Sequence, residues 1–435
     1  MNPIRKTVID FLRSQQMDVQ DVDFQANLDI FSKEMQRGLA GQDSSLEMIP
    51  TFLSAGNDVP TGKRVIVADA GGTNFRVATV YFDENKKPVI ENLKKDVMPG
   101  VERSLTRQEF FEAAASYFRH VASLSKEVGF CFSYPTQKLP SKDGRLIRFA
   151  KEIKADEVIG ELIGENLAAA MASMNMQKPE KIIILNDTVA TLLAGVGYQN
   201  RSFDGYIGFI LGTGTNTSYL ESHRNITKQG GLPCEGNMII NVESGGMGMA
   251  HRGKLDKAFD ESTNNPGVHA FEKMISGAYL GPLTLLTMKK AADDGLLSSK
   301  TANAIRGLSD LDTKTLNDFM SYPYGDNPLA AACANREPMD VELLYVIANR
   351  LVERAAKLTA VNLSAMAVKT GCGTNPARPI CIVADGTTFY RMKTLKSRVE
   401  FYLKKHLEDQ RGIYTEIIHV ENAPIIGAAI AGLTN

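Results

Sequence analysis

Apolar and polar positions along the chain follow two rhythms. Residues 64–82, RVIVADAGGTNFRVATVYF, run as an apolar strand, a Gly-Gly-Thr-Asn turn and a second, alternating strand, which predicts a β-hairpin. Residues 206–221, YIGFILGTGTNTSYLE, repeat the pattern, with Gly214-Thr215-Asn216 aligned on Gly72-Thr73-Asn74. Shorter apolar runs at 128–133, 181–185, 379–384 and 414–420 read as further strands. Between them lie helical patterns. Thr106, with Glu109 three residues on, opens one over 107–125; others cover 155–174, 188–195, most of 254–288, 341–368 and the small-residue stretch 424–432. Strands alternating with helices after hairpins predict an α/β fold of mixed sheets flanked by helices. At 435 residues the chain is too long for one ordinary core, so two domains are expected.

The hairpin turns carry anion-binding chemistry. Gly71 and Gly72 lack a Cβ, so the turn can adopt unusual backbone angles and expose its N–H groups to a ligand. Thr73 and Asn74 add donors, Arg76 a fixed positive charge, and Asp69 a carboxylate able to hold a divalent cation through water. In the expected alignment Leu211 stands opposite Asp69, so only the first hairpin supplies an acid. Two related hairpins suggest an internal duplication with a nucleotide's phosphates between the halves.

Asp187 follows the strand 181–185 and opens the next helix, where active-site groups of α/β folds gather. An aspartate there can also simply cap the helix. Beside two phosphate turns, however, a carboxylate able to orient a hydroxyl and take its proton is what phosphoryl transfer requires. Ser133, Asn186, Asn216, Glu243 and Glu272 stand in apolar or glycine-rich surroundings and together offer the donors and acceptors of a polyhydroxylated substrate. Lys151 could stabilise charge on a transferred phosphoryl group. Asp385-Gly386-Thr387 opens a helix, where a nucleotide can lie against backbone. The Gly-x-x-x-x-Gly-Lys-Ser/Thr loop and the protein-kinase catalytic loop are both missing.

A net charge of −1 gives no electrostatic reason to bind nucleic acid or an anionic membrane, and no apolar run reaches membrane-spanning length. The first residues break their hydrophobes with charges, unlike a signal peptide. Five scattered cysteines without a Cys-x-x-Cys pair fit reduced thiols in the cytoplasm.

At this point the chain resembles the hexokinases, including glucokinase, of the actin, Hsp70 and sugar-kinase superfamily. The resemblance rests on 69–76 (DAGGTNFR), 129–135 (GFCFSYP), 184–189 (ILNDTV), 211–216 (LGTGTN), and 265–267 (NPG) with 271–277 (FEKMISG). It implies a two-domain actin-like (ribonuclease H-like) fold with a cleft between the domains. Residues 63–186 plus 424–435 would form the small domain, and 1–62 plus 187–423 the large one. It implies Asp187 as base for the sugar 6-hydroxyl, and Ser133, Pro135, Asn186, Asn216, Glu243 and Glu272 as hexose ligands. Lys151 would lie near the phosphoryl group. Asp69, Gly71, Gly72, Thr73, Asn74, Arg76, Gly212, Thr213, Gly214, Asp385, Gly386 and Thr387 would hold ATP, with Mg2+ reached by Asp69 and Asp187 through water. The expected activity is ATP-dependent phosphorylation of glucose, with mannose or fructose as further substrates, by a monomer or homodimer. Three positions depart from the family pattern: Ala150 stands where threonine is usual, Ser244 where tryptophan is common, and 320–336 differs from the usual adenosine region. A non-catalytic hexose sensor is the competing reading. Retention of Asp187, Asp69 and Lys151 argues for the enzyme.

Overall fold

Each glycine turn closes an antiparallel hairpin, and each hairpin is the centre of a mixed sheet. The computed structural model describes residues 3–56, 58–149, 153–197, 202–333 and 337–435. The first sheet runs in the order Pro88–Val97, Asn74–Phe82, Val65–Gly71, Glu127–Phe132, Lys181–Leu185, antiparallel for the first two pairings and parallel for the last two. The second begins with the short edge strand Ile49–Pro50 and continues Asn237–Asn241, Thr215–Ser222, Gly205–Leu211, Ile380–Asp385, Thr415–Ile418. From Asn237–Asn241 onward its pairings repeat the sequence of the first sheet, antiparallel twice and then parallel twice. The parallel interior strands are almost wholly buried, which is why they read as continuous apolar runs rather than as alternation.

Two helices cross between the sheets. Asp187–Val196 leaves the last strand of the first sheet and packs on the second sheet; Ala423–Thr434 follows the last strand of the second and packs on the first. They also pack on each other, with Val189, Ala190, Ile425 and Ala428 in a shared core. The approach demands small residues. A Cβ on Gly427 would lie 1.8 Å from the Ala190 carbonyl oxygen, and one on Gly129 would lie 1.8 Å from that of Ala428. The 33-residue helix Pro338–Thr370 backs the second sheet, tied to the N-terminal region by Arg350–Asp18 and to the helix Lys254–Glu261 by Arg354–Asp256, both buried ion pairs.

Several elements differ from expectation. The capping box of Thr106 and Glu109 forms, but its helix ends at Ser116 and gives way to turns. The 155–174 pattern divides at Gly160 (φ 89°) into the turn Asp156–Val158 and the helix Ile163–Ser173. Residues 254–288 hold three helices. Their separation is fixed by Lys273, whose Nζ donates to Asp260, Thr263 and the Asn265 carbonyl. The hairpins also differ in loop length: Gly71 pairs with Asn74, but Leu211 pairs with Thr215. That extra residue displaces the expected alignment, and the counterpart of Asp69 becomes Phe209 rather than Leu211. Neither is an acid. Among the described residues no helix is long and apolar enough to cross a membrane.

Candidate active site

The carboxyl ends of strands from both sheets open on one cleft, and Asp187 stands at their junction. Asn186, not Asp187, is the helix N-cap: its side chain accepts from the Thr188 N–H at 2.9 Å. Asp187 is thereby the first helical residue, its Oδ1 accepting from Thr188 N at 2.7 Å and Thr188 Oγ1 at 3.2 Å. Burial pushes its carboxyl up to about 6, the charges of Asp69 and Asp385 push the same way, and the Thr188 hydrogen bonds oppose them. It is mostly ionised at neutral pH, yet basic enough to take a proton.

On one side of Asp187 lies a cavity of about 280 Å3 lined by Ser133, Pro135, Asn186, Asp187, Gly214, Asn216, Glu243 and Glu272. Its far wall is a hydrogen-bonded set. Asn216 Nδ2 donates to Asn241 Oδ1 at 2.8 Å and to Glu243 Oε1 at 3.2 Å, while Asn241 Nδ2 donates to the same Glu243 oxygen at 2.7 Å. Glu243 holds a left-handed backbone (φ 55°), a conformation unfavourable for a residue with a Cβ and found where a site over-determines it. Burial raises its carboxyl to about 7, helped by the charges of Glu47, Asp187 and Glu272 and opposed by the Asn241 hydrogen bond. Glu272, also raised by burial, accepts from Thr215 N at 2.8 Å. A Cβ on Gly214 would lie 2.5 Å from Glu272 Oε2, so the glycine leaves room for this carboxylate.

On the other side a cavity of about 400 Å3 is lined by Asp69, Gly71, Asn74 and Arg76, and it shares Ser133 and Asp187 with the first. Arg76 Nε donates to Asp69 Oδ2 at 2.8 Å. Gly72 takes the left-handed backbone of the turn (φ 57°), and its carbonyl accepts from Tyr134 Oη at 2.6 Å, fixing this turn to the segment that carries Ser133 and Pro135. Thr73 lies exposed at the tip. Two carboxylates, Asp69 and Asp187, face this space. The described residues hold no cluster of three or more metal-ligating side chains.

A third cavity, about 490 Å3, is lined by Gly212, Thr213, Gly277, Thr387 and Thr388, with Lys314 and Arg391. Gly386 (φ 112°) turns the chain into the helix Thr387–Arg391, and Asp385 Oδ1 accepts from its N–H at 2.6 Å. A Cβ at 386 would lie 2.3 Å from the Leu211 carbonyl oxygen, so the second glycine turn and this helix start can touch only through glycine. The expected nucleotide residues thus separate: 69–76 lie at the second cavity and 212–213 with 385–387 at the third, while Gly214 lines the polar cavity against Glu272 instead. Ala150 and Lys151 lie outside the described residues. Sequence reasoning missed Glu47, Lys138, Arg148, Asn241 and His269, all lining the first cavity. Asn241 alone left a signal, an amide closing the apolar run 238–240.

Twin sheets, each closed by a glycine turn, and one carboxylate shared by a polar pocket and an anion pocket, point to a two-domain sugar kinase of the actin-like class. Comparison narrows this to one family. A model described as hexokinase matches residues 206–434, just over half of the chain, and a second hexokinase model matches 12–196. The chain belongs to the hexokinase family. It is 29% identical to hexokinase-1 of Spinacia oleracea over 92% of this chain and 85% of that one, and 28% identical to hexokinase-1 of Schizosaccharomyces pombe over the same shares. In fold it is similar to the Schistosoma mansoni hexokinase complexed with glucose, with a TM-score of 0.78 at 23% identity, covering 99% of this chain and 98% of that one.

Proposed function

We propose that this hexokinase transfers the γ-phosphoryl group of ATP to the 6-hydroxyl of glucose, with Asp187 as the base. The observation that carries the reading is the position of Asp187 on both the polar cavity and the first-turn cavity. A hexose held by Ser133, Pro135, Asn186, Asn216, Glu243 and Glu272 would present a hydroxyl to Asp187, which orients it and accepts its proton as the oxygen attacks phosphorus. The turn N–H groups of 71–74, with Arg76, meet the developing charge on the phosphoryl oxygens. Lys151 is assigned to the same task. Gly212, Thr213, Gly214 and Asp385-Gly386-Thr387 take the rest of the nucleotide, the adenosine lying toward Thr387. Magnesium, when bound near Asp69 and Asp187, neutralises charge on the β- and γ-phosphates.

The division into 63–186 plus 424–435 and 1–62 plus 187–423 is part of this reading, supported by the two helices that cross between the sheets. A reducing, cytosolic setting suits the five free cysteines. Glucose is the first substrate to test because the Schistosoma structure contains it. The test is a coupled assay of hexose 6-phosphate formation from glucose, mannose, fructose and N-acetylglucosamine, with and without ATP. ATP-dependent product from glucose is expected. Glucose binding without product under any of these conditions would replace the enzyme with the sensor.

A further inference from the structure

Lys138 is a buried cation that no hydrogen bond satisfies among the described residues. It ends the strand Thr136–Lys138, whose period of two turns Gln137 to solvent and puts Thr136 and Lys138 on one buried face, both lining the polar cavity. The residue is only 9% exposed, and its Nζ has no hydrogen-bond partner among the described residues. Of the two acids whose charge it feels, Asp143 is committed elsewhere and Glu243 is engaged through one oxygen. Asp143 accepts from the N–H groups of Gly144, Gly164 and Glu165, the last two at the start of the helix Ile163–Ser173. Glu243 Oε1 already accepts from Asn216 and Asn241.

Burying an ammonium without acceptors is costly, and such a group is retained where a ligand supplies what the protein withholds. We infer that Lys138 is a substrate-binding, specificity-determining residue whose ammonium donates to a hydroxyl of the hexose at the Glu243 end of the cleft. That hydroxyl can accept from Lys138 while donating to Glu243, so the pair fixes one substituent of the ring by both its oxygen and its proton. Burial lowers the lysine to about 8, while the charges of Asp143 and Glu243 oppose that shift. The ammonium therefore persists at neutral pH, with no hydrogen-bond acceptor on it among the described residues.

The inference rests on the hexose-binding reading of this cavity, and its test uses binding rather than turnover. Glucose and the 1-, 2-, 3- and 4-deoxyglucoses are titrated calorimetrically into wild type, Lys138→Met and Lys138→Gln. Lys138→Met should weaken glucose by about ten- to a hundredfold, the worth of a charge-assisted hydrogen bond, and Lys138→Gln should recover part of the loss. One deoxyglucose should bind wild type and Lys138→Met alike, because it lacks the hydroxyl in question. The methionine variant should also melt no lower than wild type, since it removes an unsatisfied buried charge. Glucose affinity within about twofold of wild type in Lys138→Met, or an equal loss for every sugar of the series, overturns the inference. A wild type that binds glucose but never phosphorylates it sinks the kinase reading and leaves this result standing.

Discussion

Replacing Asp187 by asparagine keeps the shape of the junction and removes its charge, so it separates catalysis from architecture. In the folded protein burial lifts this carboxyl from 3.8 to about 6. A raised carboxylate costs nothing below its unfolded value, and the cost grows as pH rises from the unfolded to the folded value. The penalty is therefore absent below about pH 4, about half developed at pH 5 and complete above pH 7. Two pH units at about 1.4 kcal/mol each cap it near 3 kcal/mol, and roughly half of that is expected because the carboxyl opens on the cleft. With 435 residues at about 2.1 cal/mol/K each, unfolding entropy is about 0.9 kcal/mol/K, so Asp187→Asn should melt one to three degrees above wild type at pH 8. The gain should shrink at pH 5. In the same variant kcat should fall at least about a hundredfold, with glucose affinity within a few-fold of wild type. In wild type, kcat/KM should drop as pH falls through about 6, because the base must be ionised to accept a proton. A variant with near-normal turnover, or one that melts below wild type at pH 8, would show that Asp187 supports the fold rather than the reaction.

Other substitutions probe the walls of the cleft. Glu243→Gln removes the charge from an acceptor already held by Asn216 and Asn241, and should weaken glucose about tenfold in a calorimetric titration. Gly214→Ala drives a Cβ to 2.5 Å from Glu272 Oε2 and should raise KM for glucose several-fold, with the circular dichroism spectrum unchanged. Gly427→Ala places a Cβ 1.8 Å from the Ala190 carbonyl oxygen, so the two crossing helices must part. A loss of about 3 kcal/mol or more is expected, read as a fall of at least about three degrees in melting temperature.

What the sequence made legible was local. The turns 71–74 and 212–214 declare themselves because glycine, threonine and asparagine at adjacent positions set backbone angles that no tertiary contact need supply. Asp187 was readable for the same reason: an apolar strand ending in Asn-Asp before a helix states where the side chain will sit. Lys138 and His269 were not, although each stands only three residues from a predicted ligand, Pro135 or Glu272, because which side chains of those segments face the cavity is set by tertiary packing; Glu47 enters from a segment that carries no predicted ligand. The register of the second hairpin was misjudged because residue identity was aligned where loop length decides the pairing, with Leu211 bonded opposite Thr215. The ends of the 107–125 and 155–174 patterns failed where Gly160 and the turns after Ser116 override the helical period. The small-residue run 424–432 announced a helix that tolerates close approach, but not what approaches it.

That contact explains where the base is placed. Asn186 closes the last strand of the first sheet, and the helix begun by Asp187 is seated on the second: Ser218 Oγ donates to the Thr188 carbonyl at 2.9 Å, and a Cβ on Gly208 would lie 2.3 Å from that same oxygen. Asp187 is therefore attached to both sheets within two residues. The rest of the pocket is divided, with Ser133 and Pro135 carried by the segment after Glu127–Phe132 and Asn216, Glu243 and Glu272 on the side of the second hairpin. A rotation of one sheet against the other would displace these walls most and the chain crossing least, as hinge positions require. A base on the wall of the second hairpin would change its distance to the first glycine turn if the cleft opened or closed. At the crossing it would keep its place beside Asp69, Gly71 and Ser133 while Asn216, Glu243 and Glu272 moved.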